Sequence, residues 1–147
     1  MGIIDLSDKN SGKSFSSAIT NSNIGKAKML ANFFTDELDN RKRIHIITNI
    51  STTNNRMFCF HIVGYCYRDN MSINDVVSGY INNGKIKSYN STNKRIIPII
   101  EKDKLVIKLN FRPYYTFFNI SSILADSHSN NIEIDNIVVK RKRRFGR

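Results

Sequence analysis

The chain has 147 residues, of which 40% are apolar and 24% charged, enough for one domain with a hydrophobic core and short appendages. Hydrophobic runs recur throughout, which excludes a low-complexity protein, and the excess of Asn and Ile with no Trp reads as genomic base composition and not as mechanism. The formal net charge is +11, but Lys140, Arg141, Lys142, Arg143, Arg144 and Arg147 supply six of it, so the folded part is only mildly basic.

Residues 1–22 are rich in Ser, Asn, Asp and Lys and read as a flexible N-terminal arm. No signal peptide is read at its start, and no apolar run reaches the length of a membrane span, so no membrane partner is expected. Gly12-Lys13-Ser14 has the end of a phosphate-binding loop, but Ser7 stands where that loop needs a glycine.

Residues 23–43 carry a helix signal. Asn23 can cap it, and Ala27, Leu30, Ala31, Phe34 and Leu38 follow at spacings of three and four, with Phe33 beside the stripe. Lysines near the start and acids near the end oppose the helix dipole. The expectation is an amphipathic attachment helix that docks Leu30, Phe33, Phe34 and Leu38 on another protein.

From Ile44 onward the pattern is strand and turn. Ile44 to Ile50 is a strand. Met57 to Tyr67 is an uncharged strand, apolar or aromatic on both faces, and is expected to be covered on both. Val76 to Ile81 and Lys85 to Tyr89 flank the hairpin turn Asn82-Asn83-Gly84. Pro98 places Ile96 to Ile100 at an edge or bulge, because proline cannot donate to a ladder. Leu105 to Leu109 alternates, Tyr114 to Ile120 is aromatic on both faces, and Ile132 to Val139 closes the set. About eight short strands predict an all-β fold, an antiparallel β-sandwich or jelly-roll over residues 44–139.

No catalytic constellation is legible. His45, His61 and His128 fall in separate segments, and the acids are scattered. Cys59 and Cys66 lie seven apart on one strand, so they point to opposite faces and cannot pair while it holds. They read as free thiols, with no metal spacing and no cofactor expected. The reading is therefore a non-enzyme.

The aromatics carry more. Tyrosine buries area while its hydroxyl finds a partner, which suits core, subunit contact or a sugar face. Phe58, Phe60, Tyr65, Tyr67, Tyr115 and Phe117 are the expected oligomer interface. The basic tail 140–147 reads either as a solvated end or as a contact for an acidic protein or for nucleic acid without base specificity.

The order His45-Ile46-Ile47-Thr48-Asn49-Ile50, Met57 to Tyr67, Ile73-Asn74-Asp75, Gly79-Tyr80, Lys104 to Leu109, Tyr114 to Phe118 and Ile132 to Val139 resembles the C-terminal β-domains of bacteriophage tail and head fibre proteins and related virion proteins. The resemblance implies a β-sandwich, often a homotrimer, in a virion appendage made in the host cytoplasm. It implies contacts with other virion proteins and with a host receptor or glycan. The chain lacks a long repetitive shaft and ends in a basic tail, which extends the reading to a small capsid or vertex protein. The alternatives are a basic nucleic-acid-binding protein on a β-sandwich scaffold and a carbohydrate-binding module, which needs an exposed aromatic row.

Overall fold

The structure is a computed structural model that describes residues 27–53, 55–123 and 131–141. Among them the chain forms nine strands: β1 (Ala27–Thr35), β2 (Lys42–Ser51), β3 (Arg56–Cys66), β4 (Met71–Asn82), β5 (Lys85–Ser91), β6 (Ile96–Glu101), β7 (Lys104–Leu109), β8 (Thr116–Ile123) and β9 (Ile134–Arg141). They make a five-stranded sheet in the order β1-β8-β3-β4-β5 and a four-stranded sheet in the order β6-β7-β2-β9. Every ladder is antiparallel. The all-β expectation holds, with nine strands where about eight were expected.

One apolar core joins the two sheets. Ile44, Ile46 and Ile50 of β2 and Leu105, Ile107 and Leu109 of β7 meet Phe58, Phe60, Ile62, Ile73, Val77, Ile81, Phe118 and Ile120 from the larger sheet. Strand periodicity explains the selection, because alternate residues project to one side. Register agrees: Ile46 stands opposite Ile107, and Ile62 opposite Ile120.

Two hairpins turn through left-handed residue pairs. Asn83 (φ 55°) and Gly84 (φ 77°) join β4 to β5, the turn expected from the sequence. Lys102 (φ 51°) and Asp103 (φ 63°) join β6 to β7 in the same way without a glycine. β6, which carries Pro98, is an edge strand, as expected.

The attachment helix is corrected over the described residues. Ala27–Thr35 is an edge strand paired with β8. A register shift between Met29 and Ala31 marks a bulge, so the neighbours Leu30 and Ala31 both pack against the core, followed by Phe33. That phase slip reproduces the three-and-four spacing of a helix. Leu30, Ala31 and Phe33 of the segment therefore pack on this core. Leu38 lies beyond the strand and is exposed. The arm 1–22 lies outside the described residues, as does the capping position Asn23.

Candidate interaction surface

The outer face of the five-stranded sheet is built from cross-strand rows. Phe34, Phe117, Tyr65 and Ser72 form one row across β1, β8, β3 and β4. The next row is Asn32, Asn119, Val63 and Asn74, and the third is Met29, Ser121, His61 and Val76. No outward position on these four strands holds Lys, Arg, Asp or Glu, although the chain as a whole carries +11. The His61 ring and the Asn74 side-chain oxygen meet at 2.7 Å, tying β3 to β4 on this face. A shallow depression of about 540 Å³ crosses the first two rows and is lined by Asn32, Phe34, Val63, Gly64, Phe117 and Asn119 among others.

At one end of the face the rings gather. Phe34 meets Tyr115 edge-on with centroids 5.4 Å apart, and Tyr67 lies 6.1 Å from both Tyr114 and Tyr115. Phe34, Phe117, Tyr115 and Tyr67 are 55%, 55%, 52% and 63% exposed. Tyr115 adopts φ 58°, a left-handed conformation that is unfavourable for a bulky side chain. Two backbone bonds hold it there: the Tyr67 N–H donates to the Tyr115 carbonyl at 3.0 Å, and the Arg68 N–H to the Tyr114 carbonyl at 3.3 Å.

Asp69 secures the same corner and was not singled out from the sequence. It is the acid of the turn after β3, and its side chain is 8% exposed. Arg112 donates to it through Nε at 2.7 Å and through its backbone N–H at 3.1 Å, and the Arg95 guanidinium lies 3.6 Å away. Burial pushes the Asp69 carboxyl upward. The Arg112 hydrogen bonds and the two guanidinium charges outweigh that and hold it below the usual aspartate value. The clamp binds the β3–β4 turn to the segment that leads into β8.

The expected interface residues divide. Phe58 and Phe60 are 3% and 0% exposed and belong to the core, a correction that follows from their position on the inward side of β3. Tyr65 is half-buried on the outer face and donates its hydroxyl to Asn70 Oδ1 at 2.5 Å. Tyr67, Tyr115 and Phe117 are exposed; Tyr115 and Phe117 lie beside Phe34, which the spacing assigns to a helix, and Tyr67 lies beside Tyr115. The odd-numbered face of β3 is also less covered than expected, since Met57 and Val63 are exposed. Cys59 lies on this face half-buried, with burial pushing its thiol up. Cys66 is buried on the other side, where its thiol donates to the Arg112 carbonyl at 3.3 Å, and both cysteines are free.

The basic cluster also divides. Lys140 and Arg141 are the last residues of β9, two beyond the expected end of the strand. Lys140 Nζ donates to Glu101 at 3.1 Å, and Arg141 Nε donates to Asp39 at 3.2 Å. Hydrogen bonds from Arg41 hold the Asp39 carboxyl far below its usual range. Lys142, Arg143, Arg144 and Arg147 lie outside the described residues. Among the described residues no cluster of His, Cys, Asp and Glu could hold a metal ion, and no helix is long and apolar enough to cross a membrane.

Comparison of the chain with protein-family models, with curated proteins and with solved structures finds no match.

Proposed function

We propose that the protein is a non-enzymatic structural component of a virion that self-assembles through the outer face of its five-stranded sheet. One observation carries the self-assembly: a face of four strands without a charged side chain, on which Phe34 and Phe117 stand side by side and more than half exposed. Neighbouring exposed aromatic rings on an uncharged sheet face suit a protein contact better than open solvent. The virion placement, as fibre, capsid or vertex component, rests on the resemblance of residues 44–139. A jelly-roll reading is supported by the nested β1–β8 and β2–β7 ladders, with β9 added beside β2. A trimer remains the preferred assembly. The test is the native mass of the full chain beside that of a Phe34→Ser/Phe117→Ser double variant.

The nucleic-acid reading draws on the tail. Lys140 and Arg141 already have carboxylate partners, which leaves Lys142, Arg143, Arg144 and Arg147 to meet phosphates. DNA binding through them would be insensitive to sequence and would weaken with salt along a slope set by about four phosphates. Deleting residues 142–147 tests this reading, since equal DNA binding before and after removes it.

A further inference from the structure

We infer that the outer face of the four-stranded sheet is a docking surface for a segment of the same chain, Ile3 to Asp8. The inference is independent of the self-assembly reading, which uses the other sheet.

Register defines the face. The row Ile96, Leu109, Ile44 and Val139 points into the core. Two rows point the opposite way. Ile99, Val106, Ile47 and Asn136 form the first, and Ile97, Lys108, His45 and Val138 the second. The centre of this outer face is therefore aliphatic.

That centre is out of water. Val106 is 0% exposed although it is no part of the core cluster, and His45 beside it is 3% exposed. Ile47, Ile97, Ile99 and Val138 are half-buried. On the larger sheet, by contrast, the outward Met29, Phe34 and Phe117 are each more than half exposed. All nine described strands lie in the two sheets, and the larger sheet meets the smaller one on its core side. The cover over Val106 and His45 comes from another part of the molecule.

Three observations select the occupant. The first is apolar content. Ile3, Ile4 and Leu6 crowd into four positions, whereas 124–130 and 142–147 have one large apolar residue each, Leu124 and Phe145. The second is reach. Lys28 Nζ donates to the Ile132 carbonyl at 3.2 Å, so β1 begins beside the chain that enters β9, the edge of the smaller sheet. Positions 7–26 span up to about 65 Å when extended, against a width of about 15 Å for four strands. The third is charge. Arg43, Lys104, Lys108 and Lys140 rim the face, and Glu101 and Asp135 are the acids that answer Lys140 and Lys104. Asp5 and Asp8 complement this excess of cations, whereas Lys142, Arg143, Arg144 and Arg147 would add to it.

The test uses the full chain. Methyl NOEs are recorded on wild type and on Ile4→Asp/Leu6→Asp. The expected result is contacts from the Ile3, Ile4 and Leu6 methyls to those of Val106, Ile47 or Val138, lost in the variant. His45 gives a second readout. Burial is the main cause that lowers its pKa, while Glu101, Lys140 and Lys108 face it with charge. Uncovering the face should move its NMR titration up toward the ordinary value of about 6.5, with the native mass of the variant unchanged. Absence of those contacts in wild type, or a His45 titration that the variant does not move, overturns the inference. Contacts that appear only between labelled and unlabelled chains in a mixed sample also overturn it, because the segment then comes from a second copy. A variant of altered native mass does the same.

Discussion

Phe34 stands directly opposite Phe117 across the β1–β8 ladder with both rings facing solvent, while their neighbours Phe33 and Phe118 stand opposite each other on the core side with centroids 5.5 Å apart. One short ladder therefore carries an aromatic pair on each side, and the two pairs have different work. Phe118→Ala removes a side chain that is 2% exposed and should destabilise the fold by about 3 kcal/mol or more. Phe34→Ser should change stability by roughly 0.5 kcal/mol or less, as for most surface substitutions. Urea unfolding of the two variants checks the contrast, and equal losses would contradict the assignment of faces.

At Gly64 the neighbouring strand β8 leaves no room for a side chain. A Cβ there would stand 1.9 Å from the Phe117 carbonyl oxygen and 2.6 Å from Phe118 Cα, both backbone atoms. The strands would have to separate beside the exposed aromatic row. Gly64→Ala should lower stability by about 3 kcal/mol and disturb the surface that Phe34 and Phe117 share. Denaturant unfolding measures the first effect, and a wild-type midpoint would show that the ladder yields more easily than its geometry suggests.

The β6–β7 hairpin offers a gain. Lys102 and Asp103 both occupy left-handed backbone, a turn type that favours Asn-Gly. Replacing the pair by Asn-Gly should stabilise the protein by about 1 kcal/mol, read as a higher urea midpoint with an unchanged slope. The Asn83-Gly84 hairpin already has the favoured pair, so Gly84→Ala should lose a similar amount.

Acid should weaken the fold in two separate windows. His45 is 3% exposed, and burial lowers the pKa of its imidazole, only partly offset by its contact with the Arg43 carbonyl at 3.2 Å. Its folded pKa lies below the unfolded value of about 6.5, so the unfolded chain takes up the proton first. Stability is complete above that value and declines as pH falls through it. Asp69 is also depressed, so its contribution is present above the unfolded aspartate value of about 3.9 and is lost as pH falls further. His45→Gln should flatten the first decline, and Asp69→Asn the second. At neutral pH Asp69→Asn should cost about 2 kcal/mol, the worth of hydrogen bonds to a charged group. Urea midpoints across the acid range, with an NMR titration of His45, check both windows.

Much of the fold was legible because strand alternation and turn residues agree. Ile44 to Ile50 and Leu105 to Leu109 carry strand alternation, and Asn83-Gly84 supplies the favoured turn chemistry of its hairpin. β1 was not legible, because its bulge sets Leu30 and Ala31 on one side and so imitates a helix. The candidate surface was legible only in part. In β3 both faces are apolar, and periodicity does not say which one meets the other sheet, so Phe58 and Phe60 were grouped with Tyr67. The contact between Phe34 and Tyr115 joins residues far apart in the sequence and depends on a left-handed backbone that no local pattern announces. The clamp of Asp69 by Arg112 and Arg95 is likewise a product of topology.

Native mass measured on the full chain at micromolar concentration tests the central claim most directly. The account predicts a species of defined multiple mass, a trimer of the 16.9 kDa chain, that falls to the single-chain mass in Phe34→Ser/Phe117→Ser while the variant stays folded. A wild-type protein that remains at 16.9 kDa, with Phe34 and Phe117 open to solvent, would contradict it.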